Sequence, residues 1–305
     1  MASGTSSTGN RTGSAPLLDR EFLEKLERLT IHWQKSFAGL VGGHNMSRLA
    51  GSGQEFLDHR NFHHGDDLRA VNWRAYLRLE KLFLKMFQVE PRVPVRLLID
   101  LSDSMMAHGG QKFDYARKLG AALCYVGLVR LDTIEIHGFS SRLAQRIYST
   151  GGRHRFTGVM DGIAALPPGG STDYLGVTRE FIGAYSQRGL IIIISDFLDD
   201  SGCERALQYL TDFGHELMLL QLWTDEDREP PWTGELDLRD AETGAALKLD
   251  FDEAARERYT RAFDEWCSVV RDFALRSGGR YAGVSTSQPL ESVIFGDLIR
   301  MRGIA

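Results

Sequence analysis

The chain has 305 residues, of which 43% are hydrophobic and 25% charged, and its formal net charge at pH 7 is −5. That length and apolar content suffice to bury a sizeable core in one large unit or, as we prefer, two unequal ones, and no apolar run approaches the roughly 20 residues that a membrane helix needs. The small net charge argues against a protein that coats nucleic acid or anionic lipid through its overall charge.

The N-terminal region divides into a leader and a helix. Residues 1–16 are rich in Ser, Thr and Gly and lack an apolar core, which predicts a disordered leader and not a signal peptide. In the residues that follow, hydrophobic side chains recur at steps of three and four, which predicts a helix with one apolar stripe. The members of the stripe are Leu18, Phe22, Leu26, Leu29 and Trp33.

The three cysteines of the chain are widely spaced, and all fall in segments that we predict to be helical: Cys124, Cys203 and Cys267. An odd number of cysteines at such spacing favours neither a disulfide framework nor a thiolate zinc site. Because it also lacks a signal peptide and a membrane segment, we expect the protein to be cytoplasmic.

Residues 42–90 differ from the rest of the chain, because they are dense in glycine, histidine, arginine and aspartate with isolated aromatics. This composition predicts short strands and ordered loops, and we assign 17–90 to the N-terminal helix plus a small β-rich subdomain. Six charged residues in it are expected to form a buried or half-buried ion network or, alternatively, a surface that docks a partner's acids. These residues are Asp58, Arg60, Asp66, Asp67, Arg69 and Arg74.

Two other patterns in this region suggest different chemistries. His59, His63 and His64 are too closely spaced for a tetrahedral zinc site, and no cysteine accompanies them. Basic and aromatic residues alternate over 74–87, as they do on a platform for single-stranded nucleic acid. We interpret this stretch as an amphipathic strand with one solvated face, and nucleic-acid binding stays an alternative.

From residue 91 to 305, strand-like and helix-like segments alternate, which indicates an α/β fold with a mainly parallel sheet covered by helices. The continuous apolar run at 190–194 is typical of a central strand buried on both faces. A hairpin at 234–250 and a long C-terminal helix complete this unit. The predicted strands are 93–100, 133–139, 142–149, 189–196 and 216–223, and the predicted helices between them are 113–131, 155–165, 174–187 and 202–213.

Three oxygen-rich segments follow strands of this sheet or precede its helices. They are Asp100-x-Ser102-x-Ser104, the Gly-Gly-Ser loop that ends at Thr172, and the strand end at Asp196. Because ligands of an open α/β sheet bind outside the carboxyl ends of its strands, we expect these residues to converge there. Carboxylate and hydroxyl oxygens suit magnesium, calcium or manganese better than zinc or copper. The sequence therefore predicts a hard-cation site, and the alternative is that these side chains only cap helices.

The segment 93–223 resembles a von Willebrand factor A domain with a metal-ion-dependent adhesion site. In that family a D-x-S-x-S loop, a threonine in a second loop and an aspartate in a third hold the metal, and a partner's carboxylate often completes the coordination. The resemblance implies a divalent cation, with magnesium as the expected ion. The third loop departs from the commoner Thr-Asp-Gly form, since it has Ser-Asp-Phe at 195–197. The implied metal ligands are Asp100, Ser102, Ser104, Thr172 and Asp196.

The segment before the sheet closely resembles the signature of the bacterial domain-of-unknown-function 58 family. That signature is G-x-G-x-E-F-x-D-x-R followed by G-D-D-x-R-x-I-D-W-R, and it precedes a von Willebrand A-like domain. Asn72 stands where the family usually has aspartate, and the two patterns together cover roughly 40–300. The matching residues are Glu55, Phe56, Asp58, Arg60, Gly65, Asp66, Asp67, Arg69, Trp73 and Arg74.

This resemblance implies a partner and a role. Members of the family often carry membrane helices ahead of the signature, and none stands here, which implies a soluble member. The family is associated with MoxR-type AAA+ ATPases, which implies an adaptor or co-chaperone in protein or complex maturation, with a client protein that donates a carboxylate. No catalytic constellation is evident, so we expect binding and not catalysis. The alternatives are a metal-dependent hydrolase or phosphotransferase using the same crevice, and a single-stranded nucleic-acid binder through 74–87.

Overall fold

The chain has a mixed α/β architecture, in which a central, mostly parallel sheet is flanked by helices. This confirms the α/β class with a mainly parallel sheet that the sequence predicts. The predicted leader at 1–16 lies outside the described residues, and so do the side chains of 55–59 and 85–88. The structure, a computed structural model, describes residues 17–29, 31, 55–64, 66, 68, 71–88, 94–129, 133–144, 146–198 and 202–304.

Strands and helices alternate along most of the described chain. The strands are β1 (Glu55–Asn61), β2 (Phe83–Gln88), β3 (Val95–Asp100), β4 (Thr133–Phe139), β5 (Ile147–Thr150), β6 (Leu190–Ser195), β7 (Glu216–Trp223), β8 (Gly234–Arg239), β9 (Ala246–Phe251) and β10 (Arg280–Ser285). The helices are α1 (Arg20–Leu26), α2 (Trp73–Leu79), α3 (Ala107–Val129), α4 (Phe156–Ala164), α5 (Tyr174–Ala184), α6 (Cys203–Asp212), α7 (Asp225–Arg228) and α8 (Glu253–Arg276). None of the described helices is long and apolar enough to cross a membrane.

The central sheet has the strand order β10-β7-β6-β3-β4-β5, and neighbouring strands are parallel except for β4 and β5. Successive side chains of β6 alternate between its faces, so that Leu190, Ile192 and Ile194 join one core while Ile191 and Ile193 join the other. Helices α1, α3 and α4 cover the first face, and α5, α6 and α8 cover the second. Burial on both faces explains why this strand is a continuous apolar run.

Most elements predicted after residue 91 are confirmed, with their ends shifted by a few residues. The predicted hairpin is the antiparallel pair β8 and β9. The strand predicted at 142–149 is confirmed only as the shorter β5, and β10 at the sheet edge was not predicted. Gly283 interrupts the apolar pattern of β10, and a glycine inside a strand weakens the signal that periodicity gives.

The N-terminal signature region contains an antiparallel pair, β1 and β2, with α2 between them in the chain. The prediction of one amphipathic strand over 74–87 was wrong, because its first part is helical and β2 begins only after the helix has ended. The Asn72 side chain accepts a hydrogen bond from Ala75 N–H at 3.3 Å and caps the helix, and Glu80 ends it in a left-handed conformation with φ of 53°. The alternating basic and aromatic residues therefore do not share one strand face.

Gly189 allows the chain to enter β6 beside the backbone of Pro94. A Cβ at this position would lie 2.4 Å from Pro94 O, far inside van der Waals contact. We expect Gly189→Ala to lower the free energy of unfolding by about 1–3 kcal/mol, because a backbone atom cannot move aside as a flexible side chain can. Urea denaturation measures this difference. Gly183→Ala is the matched control, since a Cβ there meets nothing within 4 Å beyond its own helix; equal losses in both variants would contradict the prediction.

Candidate functional site

The carboxyl ends of β3 and β6 lie side by side at the centre of the sheet. Strand β3 ends at Asp100 and β6 at Ser195, and the Ser195 hydroxyl donates a hydrogen bond to Asp100 Oδ2 at 2.6 Å. The Gly-Gly loop packs against the loop after β3, where Asp103 N–H donates to Gly170 O at 2.9 Å. The three loops in which the sequence predicts the metal ligands therefore contact one another. We call the place where these loops meet, at the ends of β3 and β6, the crevice.

Asp100 is a fully buried carboxyl group, with a relative exposure of 0%. Ser102 N–H donates to its Oδ1 at 2.9 Å, and the Ser195 hydroxyl donates to its Oδ2. Within the described residues, no lysine, arginine or histidine forms an ion pair with it. Burial, and after it the nearby charge of Asp196, raise the pKa of Asp100 to about 7. A cation bound at this point would offset the cost of burying the charge.

The Ser102 and Ser104 hydroxyls form a hydrogen bond with each other, with their oxygens 2.9 Å apart. Two ligands at adjacent corners of an octahedral shell with a radius of about 2.1 Å stand about 3 Å apart, so this separation fits two oxygens on one magnesium ion. Ser102 is buried and Ser104 is half-buried, which leaves access from the side of Ser104. The described part of the chain has no cluster of three or more His, Cys, Asp or Glu side chains arranged for a metal. Binding of a cation here would therefore depend on the hydroxyl oxygens as ligands. Such oxygen ligands suit a hard ion.

Asp196, the predicted ligand of the third loop, forms an ion pair with a buried lysine. Lys112 Nζ lies 2.8 Å from Asp196 Oδ2 and 3.3 Å from Asp227 Oδ2, and Lys112 is 1% exposed. Burial lowers the pKa of this ammonium, but the charges of the two aspartates outweigh burial and raise it. The ammonium pairs with Asp196 and Asp227 and not with Asp100, so these three buried carboxyl groups carry excess negative charge when all three are ionised.

A histidine connects this buried cluster to the surface. His108 Nε2 lies 3.3 Å from Asp227 Oδ1, and its Nδ1 lies 2.7 Å from Glu226 Oε2. The residue has a left-handed backbone with φ of 51°, as have the two glycines that follow it. Strained backbone of this kind persists where the surroundings fix it, and it often lies at functional sites.

Thr172, the predicted ligand of the second loop, is bound by a carboxylate of the chain's own hairpin. Its N–H donates to Glu242 Oε2 at 2.8 Å, and its hydroxyl donates to Glu242 Oε1 at 2.9 Å. Glu242 lies in the turn between β8 and β9 and is half-buried. The loop that contains Thr172 therefore lies at the crevice, but the threonine itself is hydrogen-bonded to Glu242. The sequence analysis did not predict a role for Glu242.

The third loop keeps the backbone shape of a glycine-containing loop although it has phenylalanine. Phe197 has φ of 56°, in the left-handed region that glycine adopts without strain. Its N–H donates to Ser195 Oγ at 2.9 Å, its carbonyl accepts from Trp266 Nε1 at 3.0 Å, and its ring stacks on that of Tyr174. Hydrogen bonds and ring stacking therefore hold a phenylalanine in a backbone conformation that glycine adopts more readily.

The predicted ion network of the N-terminal region is present as one pair within the described residues. Arg60 Nη2 lies 2.8 Å from Asp66 Oδ1, and this contact, followed by the His63 N–H, lowers the pKa of Asp66. Arg74 is exposed. The remaining members lie outside the described residues or have side chains that do: Asp58, Asp67 and Arg69.

Sequence reasoning missed Lys112 and Glu242 because their partners are far away in the chain, 84 and 70 residues respectively. For Lys112 one signal was available. It precedes Ala116 and Leu119 on the apolar stripe of α3, and a charge on such a stripe is expected to have a buried partner. The turn that contains Glu242 carries no comparable signal.

The chain is similar in sequence to one protein family and to several mycobacterial proteins. The family model described as "Protein of unknown function DUF58" matches residues 58–266. The uncharacterized protein Rv1480 of Mycobacterium tuberculosis is 26% identical over 253 residues, which cover 80% of this chain and 78% of that protein. An uncharacterized protein of Mycobacterium avium is 29% identical over 120 residues, 38% of this chain and 70% of that protein.

Solved structures resemble the chain with lower sequence identity. A conserved hypothetical protein, BatB from Bacteroides thetaiotaomicron, superimposes with a TM-score of 0.42 and 17% identity, covering 68% of this chain and 98% of that chain. An aerotolerance-related membrane protein from Bacteroides fragilis has a TM-score of 0.40 and 16% identity, covering 69% and 98%.

Proposed function

The chain belongs to the DUF58 family, and from this premise we propose that it is a metal-dependent protein-binding module of the von Willebrand factor A type. In this proposal it works in the cytoplasm as an adaptor or co-chaperone of a MoxR-type AAA+ ATPase, in the maturation of a client protein or complex. The client or the ATPase contributes a carboxylate to the crevice at the ends of β3 and β6.

The observation that carries the proposal is Asp100, a buried carboxyl group without a cationic partner among the described residues. Beside it, the hydroxyls of Ser102 and Ser104 stand at the separation of adjacent oxygens around one magnesium ion. A buried carboxylate needs a compensating charge or a proton. Magnesium supplies that charge and takes the neutral oxygens as further ligands.

The charge balance of the crevice supports binding over catalysis. Asp100 provides the negative charge, and Ser102, Ser104 and Thr172 provide uncharged oxygens, while Lys112 already neutralises part of Asp196. A magnesium ion held this way keeps part of its positive charge and attracts an outside acid. None of these side chains is arranged as a general base toward the crevice, which a metal-dependent hydrolase would need.

We expect Asp100→Asn to weaken binding of the chain to a MoxR-type AAA+ ATPase from the same genome by at least about tenfold, which corresponds to about 1.4 kcal/mol. Surface plasmon resonance at constant magnesium measures this, since removing the ion would also disable the nucleotide site of the ATPase. Asp161→Asn on α4 is the matched control, because that carboxylate is exposed and takes part in none of the contacts described for the crevice.

Two outcomes would count against the proposal. Equal binding by the Asp100→Asn and Asp161→Asn variants would remove the link between the crevice and the partner. Turnover of a phosphoester by the purified chain, abolished in the Asp100→Asn variant, would favour the hydrolase alternative instead.

A further inference from the structure

The tip of the β8–β9 hairpin places a carboxylate on the crevice. Both oxygens of Glu242 accept hydrogen bonds from Thr172, one from its N–H at 2.8 Å and one from its hydroxyl at 2.9 Å. The two residues are 70 positions apart, so this contact depends entirely on how the hairpin folds back. It is a bidentate contact with a residue that the proposed function assigns to metal and ligand binding.

The hairpin is built to present this side chain. Asp240 Oδ1 accepts from Glu242 N–H at 3.1 Å and from Thr243 N–H and Oγ1 at 2.6 Å each, which fixes the turn. These hydrogen bonds lower the pKa of Asp240 and keep it ionised, and the bond from the Thr243 hydroxyl has the largest effect. A turn ordered in this way holds the Glu242 backbone in place without help from the body of the protein.

The rest of the hairpin packs weakly on that body. Most side chains of β8 and β9 are exposed, and the buried one is Phe251 at its base. Between the base and the tip, only Leu236, Leu238 and Leu249 are half-buried. An element anchored at one end and touching the crevice at the other can lift away at low cost.

We propose that Glu242 is a resident ligand of the crevice, which occupies the place of a partner's carboxylate in the free chain and is displaced when an acidic side chain of the partner binds. This inference rests on the proposed function. Glu242 takes both donors of Thr172, the N–H and the hydroxyl, so another carboxylate can bond to Thr172 only after Glu242 has left. The side chain therefore reaches the position where an incoming carboxylate is expected.

The contact also defines the chemistry of the ligand. A backbone N–H and a hydroxyl that both donate call for a group with two acceptor oxygens, and a carboxylate is the protein group that has them. An ammonium or a guanidinium has only donors and cannot replace Glu242 at this place. The partner segment is thus expected to carry aspartate, glutamate or a C-terminal carboxylate.

An experiment with acetate as the carboxylate probe tests the inference in the full chain. The variants are Glu242→Gln, which keeps the shape, Glu242→Ala, which removes the side chain, and Glu235→Gln, the control on the exposed part of β8. Acetate is titrated at constant magnesium, and the NMR shift of the Thr172 amide is followed. If the contact between Glu242 and Thr172 is closed for about nine-tenths of the time, the apparent affinity for acetate is about tenfold lower than that of the open loop. We expect the Glu242→Ala variant to bind acetate about tenfold more tightly than the wild type and the control, and the Glu242→Gln variant, whose amide can still bond to Thr172, to lie closer to the wild type.

Hydrogen exchange separates this inference from the proposed function. The Thr172 amide is expected to exchange about tenfold faster in the Glu242→Ala variant than in the control, with or without magnesium, because alanine leaves the N–H without its acceptor. If the wild type binds no magnesium in calorimetry, the proposed function fails, and the exchange of this amide still decides whether Glu242 occupies the loop. The inference would be overturned if the Thr172 amide exchanged at the same rate in all four proteins. It would also be overturned if all four proteins bound acetate with the same affinity, or if none of them bound acetate.

Discussion

Asparagine in place of Asp100 is expected to abolish the stabilisation of this protein by magnesium and to stabilise the metal-free protein at pH 8. The pKa of Asp100 is about 7 in the folded protein, above the ordinary value of 3.8. A carboxyl group with a raised folded-state pKa holds its proton more tightly when folded, so its contribution to stability is lost as the pH rises from about 4 to above 7. Since each pKa unit corresponds to about 1.4 kcal/mol and the shift is about three units, this loss is on the order of 4 kcal/mol.

The asparagine amide fits the hydrogen bonds of this place without the charge. Its oxygen can accept from Ser102 N–H, and its NH₂ can donate to the Ser195 hydroxyl, which then turns toward another acceptor. Urea denaturation at pH 5 and pH 8, with EDTA or with magnesium, measures the effect. In the wild type, magnesium at a hundred times its Kd adds about 2.7 kcal/mol, and in the variant it adds nothing. Asp161→Asn is expected to behave as the wild type. An unchanged pH dependence in the Asp100→Asn variant would contradict the assignment.

Methionine in place of Lys112 is expected to produce the largest loss of stability at this site, about 3–5 kcal/mol. The ammonium is 1% exposed and contacts Asp196 and Asp227, which are themselves buried. Removing one partner of a buried ion pair leaves uncompensated charge in a medium of low polarity, and that costs more than the pair contributed. Methionine keeps most of the volume, so the loss reports charge and not packing.

Thermal and urea denaturation of the Lys112→Met variant measure this effect. The matched control is Lys118→Met on the same helix, where the side chain is exposed. A second variant adds Asp196→Asn and Asp227→Asn to Lys112→Met and is expected to recover part of the loss, since it removes the unpaired charges. If Lys112→Met were no less stable than Lys118→Met, the buried cluster would not have the charges that we assign to it.

The sequence predicted from residue order alone that three polar loops meet at one edge of the sheet. Asp100 and Asp196 each follow a continuous apolar run, and such runs are strands buried on both faces of a parallel sheet. Parallel neighbours end at the same edge, so β3 and β6 bring these aspartates close together. The Thr172 loop was predicted from its paired glycines before a helix, and its backbone indeed bonds to the loop after β3.

The short helix α2 shows where this reasoning fails. Over 74–87 the basic and aromatic residues alternate as in a strand, yet Asn72 caps a helix that uses the same residues with a different period. Periodicity over so few positions cannot distinguish the two, and a single local hydrogen bond decides.

Hydrophobic periodicity was enough to predict the α/β sheet, most of its elements in chain order and the edge at which polar residues gather. These depend on hydrophobic periodicity, which is local in the chain. Only the tertiary structure decided the electrostatic state of the crevice: that Lys112 neutralises Asp196, that Asp100 has no cationic partner within the described residues, and that Glu242 lies on Thr172. Interactions between charges depend on distance in space and on burial, and neither follows from separation along the chain.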